Sequence, residues 1–240
     1  MNNINIVSLS GGKDSTAMLL MMLERNEDIS SVVFFDTGWE FPALLRHVDK
    51  LEKYTGLTFI RLKPKEPFDY ILNKKPIRCR RGKDKGIVHN GLGWPSWFMR
   101  WCTYRKLDIL EKYQRNKPGI YCVGIAYDEQ KRVKTYINKR YPLIEYRITE
   151  QDALKYCYSH GFDWDGLYKD FTRVSCFCCP LQRIGELRML YNKYPDLWNR
   201  MLKMEADIPE GIGRRFRQKI TVSELDDRFR RETLCYKEIN

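Results

Sequence analysis

The sequence predicts an α/β fold: a parallel sheet with helices on both faces, continued by a helical C-terminal appendage. Two observations carry this. Strand and helix patterns alternate through the first 62 residues, which calls for a parallel sheet joined by right-handed crossovers. Beyond about residue 165 the pattern turns helical and basic. The expected division is a nucleotide-binding α/β domain over 1–165 and a Cys-containing, helical, basic region over 166–240.

The elements follow in order. Residues 4–9 form a short β-branched strand, and 15–25 a helix rich in Leu and Met. Residues 31–35 are a second buried strand, ending in Asp36, Thr37 and Gly38. A helix over 42–54 opens on Pro42 and stops before Gly56. Residues 57–62 are a third strand. The stretch 73–101 is rich in Lys, Arg, Gly and Trp, shows no period, and reads as a long functional loop. A helix over 103–114, a strand over 119–125 and a helix over 149–160 follow, the last opened by the capping pattern T-x-x-D. From Pro180 to about Asp207 the pattern is helical in two pieces divided near Pro195, and the basic tail 211–240 holds one more helix from about Ser223.

Composition narrows the function. The 240 residues carry 43 Lys and Arg against 31 Asp and Glu, a formal charge of +12 that favours polyanionic partners, nucleotide or nucleic acid. The longest apolar run, 17–23, is far too short to span a membrane, so no membrane association is expected. The N-terminus lacks the pattern of a signal peptide. A cytoplasmic, reducing setting follows, in which the eight cysteines suit metal or catalytic use better than disulfides.

Two segments carry the nucleotide chemistry. A strand feeding a Gly-rich turn that opens a helix is a phosphate-binding device, because the turn amides and the helix N-terminus converge on an anion. Residues 8–15 read S-L-S-G-G-K-D-S; the Walker A spacing fails at Val7, and no G-x-G-x-x-G is present. In an open parallel sheet ligands sit beyond the strands' carboxyl ends, which brings Asp36, Thr37 and Gly38 beside that turn.

The S-x-S-G-G-K-D-S turn resembles the PP-loop of the adenine nucleotide α-hydrolase superfamily. That resemblance implies that Ser8, Ser10, Gly11, Gly12, Lys13, Asp14 and Ser15 hold the phosphates of ATP or an adenosine phosphosulfate. Lys13 and Asp14 are the candidate catalytic residues, and Mg²⁺ is the expected companion ion. D-T-G-W-E-F-P resembles the D-T-G-x-x-F-P segment of phosphoadenosine phosphosulfate (PAPS) reductases, which implies that Asp36, Thr37 and Gly38 border the nucleotide. The segment 123–132, containing Gly124, resembles the reductase G-[IL]-R-x-x-E-S, and Y-P-L-I-E-Y at 141–146 its Y-P-L-x-x-W. Ala126 stands at the family's arginine position and Gln130 at its serine position.

The cysteines form a second signature. R-W-C-T at 100–103 resembles a segment of iron–sulfur adenylylsulfate reductases, and more closely that of the ATP pyrophosphatase of DNA phosphorothioation systems. C-F-C-C-P at 176–180 supplies a C-x-x-C pair with Cys178 between. Thiolates in this spacing suit an iron–sulfur cluster or structural zinc. The resemblance favours a [4Fe-4S] cluster held by Cys102, Cys176, Cys179 and Cys178, with Cys79 the alternative fourth ligand. Cys102, at a helix start among Arg and Lys, is expected to gain thiolate character. Cys122 and Cys157 are expected in the core, and His47 on a helix surface.

The leading expectation is an ATP pyrophosphatase that adenylates a substrate for sulfur transfer, with nucleic acid as a candidate substrate and a sulfur-donor protein as a candidate partner. One alternative is a PAPS or adenylylsulfate reductase, for which Cys235 would be the reactive thiol, although the family's Gly-Leu-His tail is absent. The other is a non-catalytic nucleotide- or nucleic-acid-binding subunit. Basic charge interleaved with Trp94, Trp97, Phe98 and Trp101 suits a nucleic-acid strand or a nucleotide base. A solvated loop whose tryptophans cover a cluster fits that composition equally.

Overall fold

A computed structural model describes residues 4–82, 85–133, 138–210, 212, 215–217 and 220–239. The chain forms two compact units, one built from 1–63 and 106–176, the other from 64–105 and 177–240.

The first unit holds a parallel sheet. Its strands are β1 (Asn5–Leu9), β2 (Ile29–Phe35), β3 (Phe59–Leu62), β6 (Ile120–Val123) and β7 (Lys139–Arg140), in the order β3-β2-β1-β6-β7. All four pairings are parallel, with Ser8 opposite Val33 on one side and Val123 on the other. The chain moves outward from β1 to β3, then returns to place β6 on β1's other edge. The order therefore reverses between β1 and β6, and a crevice opens at their carboxyl ends.

Helices α1 (Lys13–Glu24), α2 (Pro42–Thr55), α5 (Pro142–Glu145), α6 (Glu150–Ser159) and α7 (Leu167–Asp170) complete this unit. Pro42 opens α2, and Gly56 closes it at φ 69°, a left-handed conformation that glycine adopts without strain. The expected T-x-x-D cap is present: Asp152 N–H donates to the Thr149 hydroxyl at 3.2 Å, while Thr149 N–H donates to the Asp152 carboxylate. Val7, Met18, Leu19, Met22, Val32, Phe34, Leu44 and Val48 form the core, and Cys122 and Cys157 are fully buried as expected.

The second unit holds α3 (Phe68–Asn73), a hairpin of β4 (Pro76–Arg78) and β5 (Val88–Asn90), α8 (Ile184–Lys193), α9 (Pro195–Ala206) and α10 (Val222–Ile239). Helix α4 (Trp101–Asn116) begins in the second unit and ends in the first. The chain passes from the first unit to the second for the last time after Cys176, and 64–105 packs with the C-terminal helices. Arg200 of α9 pairs with Asp69 of α3 at 3.1 Å, and Trp94 meets Phe216 edge-on at 5.1 Å. The stretch 73–101, expected as a long functional loop without a period, contains the β4–β5 hairpin. Among the described residues no helix is long and apolar enough to cross a membrane.

His47 corrects its expectation. It is 4% exposed, bonded through Nε2 to the Thr16 hydroxyl at 2.9 Å and stacked on Trp164 at 4.2 Å. Burial drives its pKa down to about 3, so the ring is neutral.

Candidate functional site

The crevice at β1 and β6 is a cavity of about 220 Å³ lined by Ser10, Gly12, Lys13, Asp14, Gly124, Glu129, Arg132, Glu150, Tyr168, Arg173, Val174 and Ser175. Its floor is the turn between β1 and α1. Gly11 sits at φ 79°, where a Cβ would also meet Leu44 Cδ2 at 2.9 Å. Gly124, just past β6, crosses the first turn of α1 so closely that a Cβ would lie 2.8 Å from Ser15 N and Cα. Only glycine fits that crossing.

The turn is braced from within. Ser10 N–H donates to the Ser15 hydroxyl at 3.1 Å, and that hydroxyl donates to Gly12 C=O at 3.1 Å. The two serine hydroxyls lie 2.9 Å apart, and Gly12 N–H donates to that of Ser10 at 3.3 Å. Both serines thus shape the cradle as well as border it. Ser8 lies within β1 and does not line the cavity.

Charge in the cavity is finely balanced. Lys13 is 7% exposed, with Nζ 3.0 Å from a Glu150 carboxylate oxygen and 3.2 Å from one of Asp14. Burial raises the Asp14 pKa to about 6 against the lowering effect of Lys13, with Glu150 and Glu129 adding to the rise. Its Oδ1 is buried and has no hydrogen-bond partner among the described residues. Burial also acts to raise the Glu150 carboxyl, but the bond and charge of Lys13 outweigh it and hold it below the usual range. Arg173 pairs with Glu129 at 3.0 Å, and Arg132 pairs with the same carboxylate. These arginines supply positive charge near the segment where Ala126, fully buried, replaces the reductase arginine.

Sequence reasoning missed Tyr168, Trp164, Glu129, Glu150 and Arg173. Lys13 N–H donates to the Tyr168 hydroxyl at 2.7 Å, and Trp164 Nε1–H donates to Gly11 C=O at 2.7 Å. The two aromatics thus clasp the peptides on either side of Gly12. They lie more than 150 residues downstream in a segment without motif, so no spacing rule could have found them.

Asp36, Thr37 and Gly38 form a separate turn at the end of β2 and do not line the cavity. Asp36 accepts from Gly38 N–H at 2.9 Å, and Thr37 donates its hydroxyl to buried Glu40 at 2.7 Å. The Cys176 sulfur lies 3.8 Å from the Thr37 hydroxyl, and Glu40 forms a β-bridge with Cys176. Burial raises the Glu40 carboxyl above its ordinary range.

In the second unit Cys102 is the second residue of α4, and charge there acts to raise the Cys179 thiol. Burial is the larger cause for Cys179 and also raises Cys102, against the lowering effect of Thr103 and Arg100. Burial therefore opposes the thiolate character expected of Cys102. Cys178 is fully buried, and Cys79 is half-buried in the hairpin, its N–H donating to Ile87 C=O at 2.9 Å. Among the described residues no three His, Cys, Asp or Glu side chains converge as a metal-binding group. The side chain of Cys235 lies outside the described residues.

This crevice, at a strand-order reversal and floored by S-G-G-K-D-S, defines a PP-loop type of nucleotide-binding domain. The chain belongs to the phosphoadenosine phosphosulfate reductase domain family, which matches residues 4–182. It is 29% identical over 209 residues to the uncharacterized protein MJ0066 of Methanocaldococcus jannaschii, covering 81% of this chain and 40% of that protein. It is 29% identical over 176 residues to the uncharacterized nin region protein ORF290 of Escherichia phage lambda, covering 67% and 61%. The chain thus spans less than two thirds of these curated relatives. Among solved structures it is similar to the U34-tRNA thiolase NcsA from Methanococcus maripaludis with its [4Fe-4S] cluster, at TM-score 0.47 and 13% identity, covering 96% of this chain and 73% of that one.

Proposed function

We propose that the chain is an ATP pyrophosphatase that adenylates an acceptor for sulfur transfer. The observation that carries this is Lys13, buried and held between Asp14 and Glu150 at the mouth of a PP-loop. An arriving triphosphate competes with both carboxylates for that ammonium. The cavity sets Lys13, Arg132 and Arg173 against Asp14, Glu129 and Glu150, so it offers no net charge to a bare triphosphate. A cation must offset the carboxylates. Asp14 Oδ1, buried and without a hydrogen-bond partner among the described residues, would supply one hard oxygen donor to Mg²⁺, with phosphate oxygens supplying others. When bound, Mg²⁺ neutralises phosphate charge.

An acceptor oxygen then attacks the α-phosphorus, the bond to the bridging oxygen breaks, and pyrophosphate leaves with its electron pair. The Lys13 ammonium stabilises the charge that develops, in a reaction needing positioning and neutralisation more than a protein nucleophile. In this reading Ser10, Gly11, Gly12, Ser15 and Gly124 shape the phosphate cradle, and Asp36, Thr37 and Gly38 border the nucleoside.

The thiols Cys102 and Cys179, both in the second unit, are soft donors suited to an iron–sulfur cluster or zinc. Cys176 of the C-x-x-C motif is the third proposed ligand, with Cys178 or Cys79 the fourth. No step of the nucleotide chemistry runs through this centre. Family membership supports sulfonucleotide reduction as a second reading, and the buried Ala126 at the arginine position argues against it.

The test pairs two reactions on anaerobically purified protein: AMP and pyrophosphate from ATP with sulfide and an oligonucleotide, and sulfite from PAPS with thioredoxin. Production of AMP and pyrophosphate, lost in Lys13→Ala, is expected. Sulfite release lost in Cys235→Ser would replace this reading with the reductase.

A further inference from the structure

The net charge is not shared between the units. The second has 23 Lys and Arg against 13 Asp and Glu, and the first has 20 against 18, so +10 of the +12 lies in the second. That same unit displays three successive apolar side chains: Trp97 is 60% exposed, Phe98 81% and Met99 54%. Exposed large side chains in a row mark a binding surface.

These residues form a stiff finger. Ser96 N–H donates to Met99 C=O and Met99 N–H to the Ser96 hydroxyl, both at 3.0 Å, closing the tip. The base is pinned by Gly91 N–H to Lys75 C=O at 2.7 Å and Trp101 Nε1–H to Gly93 C=O at 3.0 Å. Gly91 is required there, because a Cβ would lie 2.4 Å from Leu72 O. Two rings are thus held out in water by a scaffold already ordered.

Charge is interleaved with the rings. The Arg100 guanidinium sits 4.5 Å from the Trp97 ring centre, a cation–π contact. Beside Trp97 opens a cavity of about 550 Å³ walled by Leu181, Phe216, Ile220, Arg215 and Arg217. Among the described residues its lining holds cations and no carboxylate, with an apolar wall and a ring at its rim. An acidic or purely apolar protein segment would leave the ring faces or the arginines unused. Flat rings, an apolar slot and guanidinium groups together match an unpaired base and its flanking phosphates.

We infer that the Trp97–Phe98 finger and the adjoining Arg215/Arg217 cavity bind single-stranded nucleic acid, stacking unpaired bases on the rings and seating phosphates on the arginines. The inference deepens the proposed adenylation by naming the acceptor class, and it rests on that reading for the chemistry, while the binding stands alone. A duplex keeps its base faces covered and engages only the charge.

The experiment is fluorescence anisotropy of labelled 12-nucleotide oligo-dT, oligo-rU and a 12-base-pair duplex at 50 and 200 mM salt, without ATP. Both single strands are expected to bind more tightly than the duplex and to weaken with salt. Trp97→Ala/Phe98→Ala is expected to weaken them at least about tenfold, with melting temperature unchanged. Phe98→Tyr retains binding. Equal binding by parent and double variant, duplex binding as tight as single strand, or absence of binding in a chain that melts normally each overturns the inference; the last would leave a protein partner on the finger. ATP binding, measured calorimetrically on the same samples, keeps the two readings apart. Its absence removes the adenylation proposal and leaves the strand result intact.

Discussion

At the scale of single residues, the motif was legible and its supports were not. Lys13, Asp14 and the glycines stand in one contiguous run. Tyr168 and Trp164 reach the same turn from a segment whose sequence carries no periodic or motif signal. Burial was equally hidden: His47 occupies an ordinary amphipathic helix position, and only the fold shows Trp164 covering it. Two buried groups here act on stability with opposite sign. Asp14 is raised from 3.8 to about 6, so between those values the native chain holds a proton the unfolded chain has lost. Its stabilising effect is present in acid and disappears as pH rises through that window. His47 is lowered from 6.5 to about 3, so its contribution is present above 6.5 and is lost as pH falls. Each proton changes stability by about 1.4 kcal/mol per pH unit. Urea melts from pH 4 to 6 are expected to show that Asp14→Asn gains this slope relative to the parent, becoming less stable toward acid. His47→Gln should change in the opposite direction. Parallel pH profiles in parent and both variants would contradict these assignments.

At the scale of elements, strong local signals transferred well. Pro42, Gly56 and the Thr149 cap mark helix ends through backbone chemistry that needs no tertiary partner, and the structure places ends there. The β4–β5 hairpin was illegible because its strands are three residues each, too short for alternation to emerge, within a composition that reads as loop. The N-terminus of α10 was legible, from about Ser223 against Val222, and a local box caps it. Glu224 N–H donates to the Thr221 hydroxyl at 3.0 Å and Thr221 N–H to the Glu224 carboxylate at 2.8 Å. What stayed hidden is a second acceptor from a different helix. Glu205 of α9, 3% exposed, accepts from Ser223 N–H at 2.9 Å, the Ser223 hydroxyl at 2.7 Å and Val222 N–H at 2.5 Å. A carboxylate there also meets the positive end of the helix dipole. Glu205→Ala is expected to destabilise the protein by about 1.5–3 kcal/mol, the range for buried bonds to a charged group. Denaturant unfolding checks it, and a change under about 0.5 kcal/mol, typical of surface substitutions, would show that the carboxylate does not cap the helix.

At the scale of the whole molecule, the parallel sheet was predictable because each strand and helix in the first 62 residues is short, regular and separated by clear breaks. The division into units was not, since the segment 64–105 joins C-terminal helices remote in sequence. That discontinuity also conceals the charge asymmetry, which a reading along the chain spreads over two separate stretches. The account assigns phosphate recognition to the first unit alone, through Lys13 between two carboxylates in a crevice at a strand-order reversal. The measurement that tests this most directly is calorimetric titration of the protein with ATP, with and without Mg²⁺, against Lys13→Ala and with adenosine as control. The account predicts Mg²⁺-dependent ATP binding, weakened at least about tenfold by Lys13→Ala, as expected for losing a charged hydrogen bond, and far weaker binding of adenosine. ATP binding unchanged in Lys13→Ala, or adenosine bound as tightly as ATP, would contradict it.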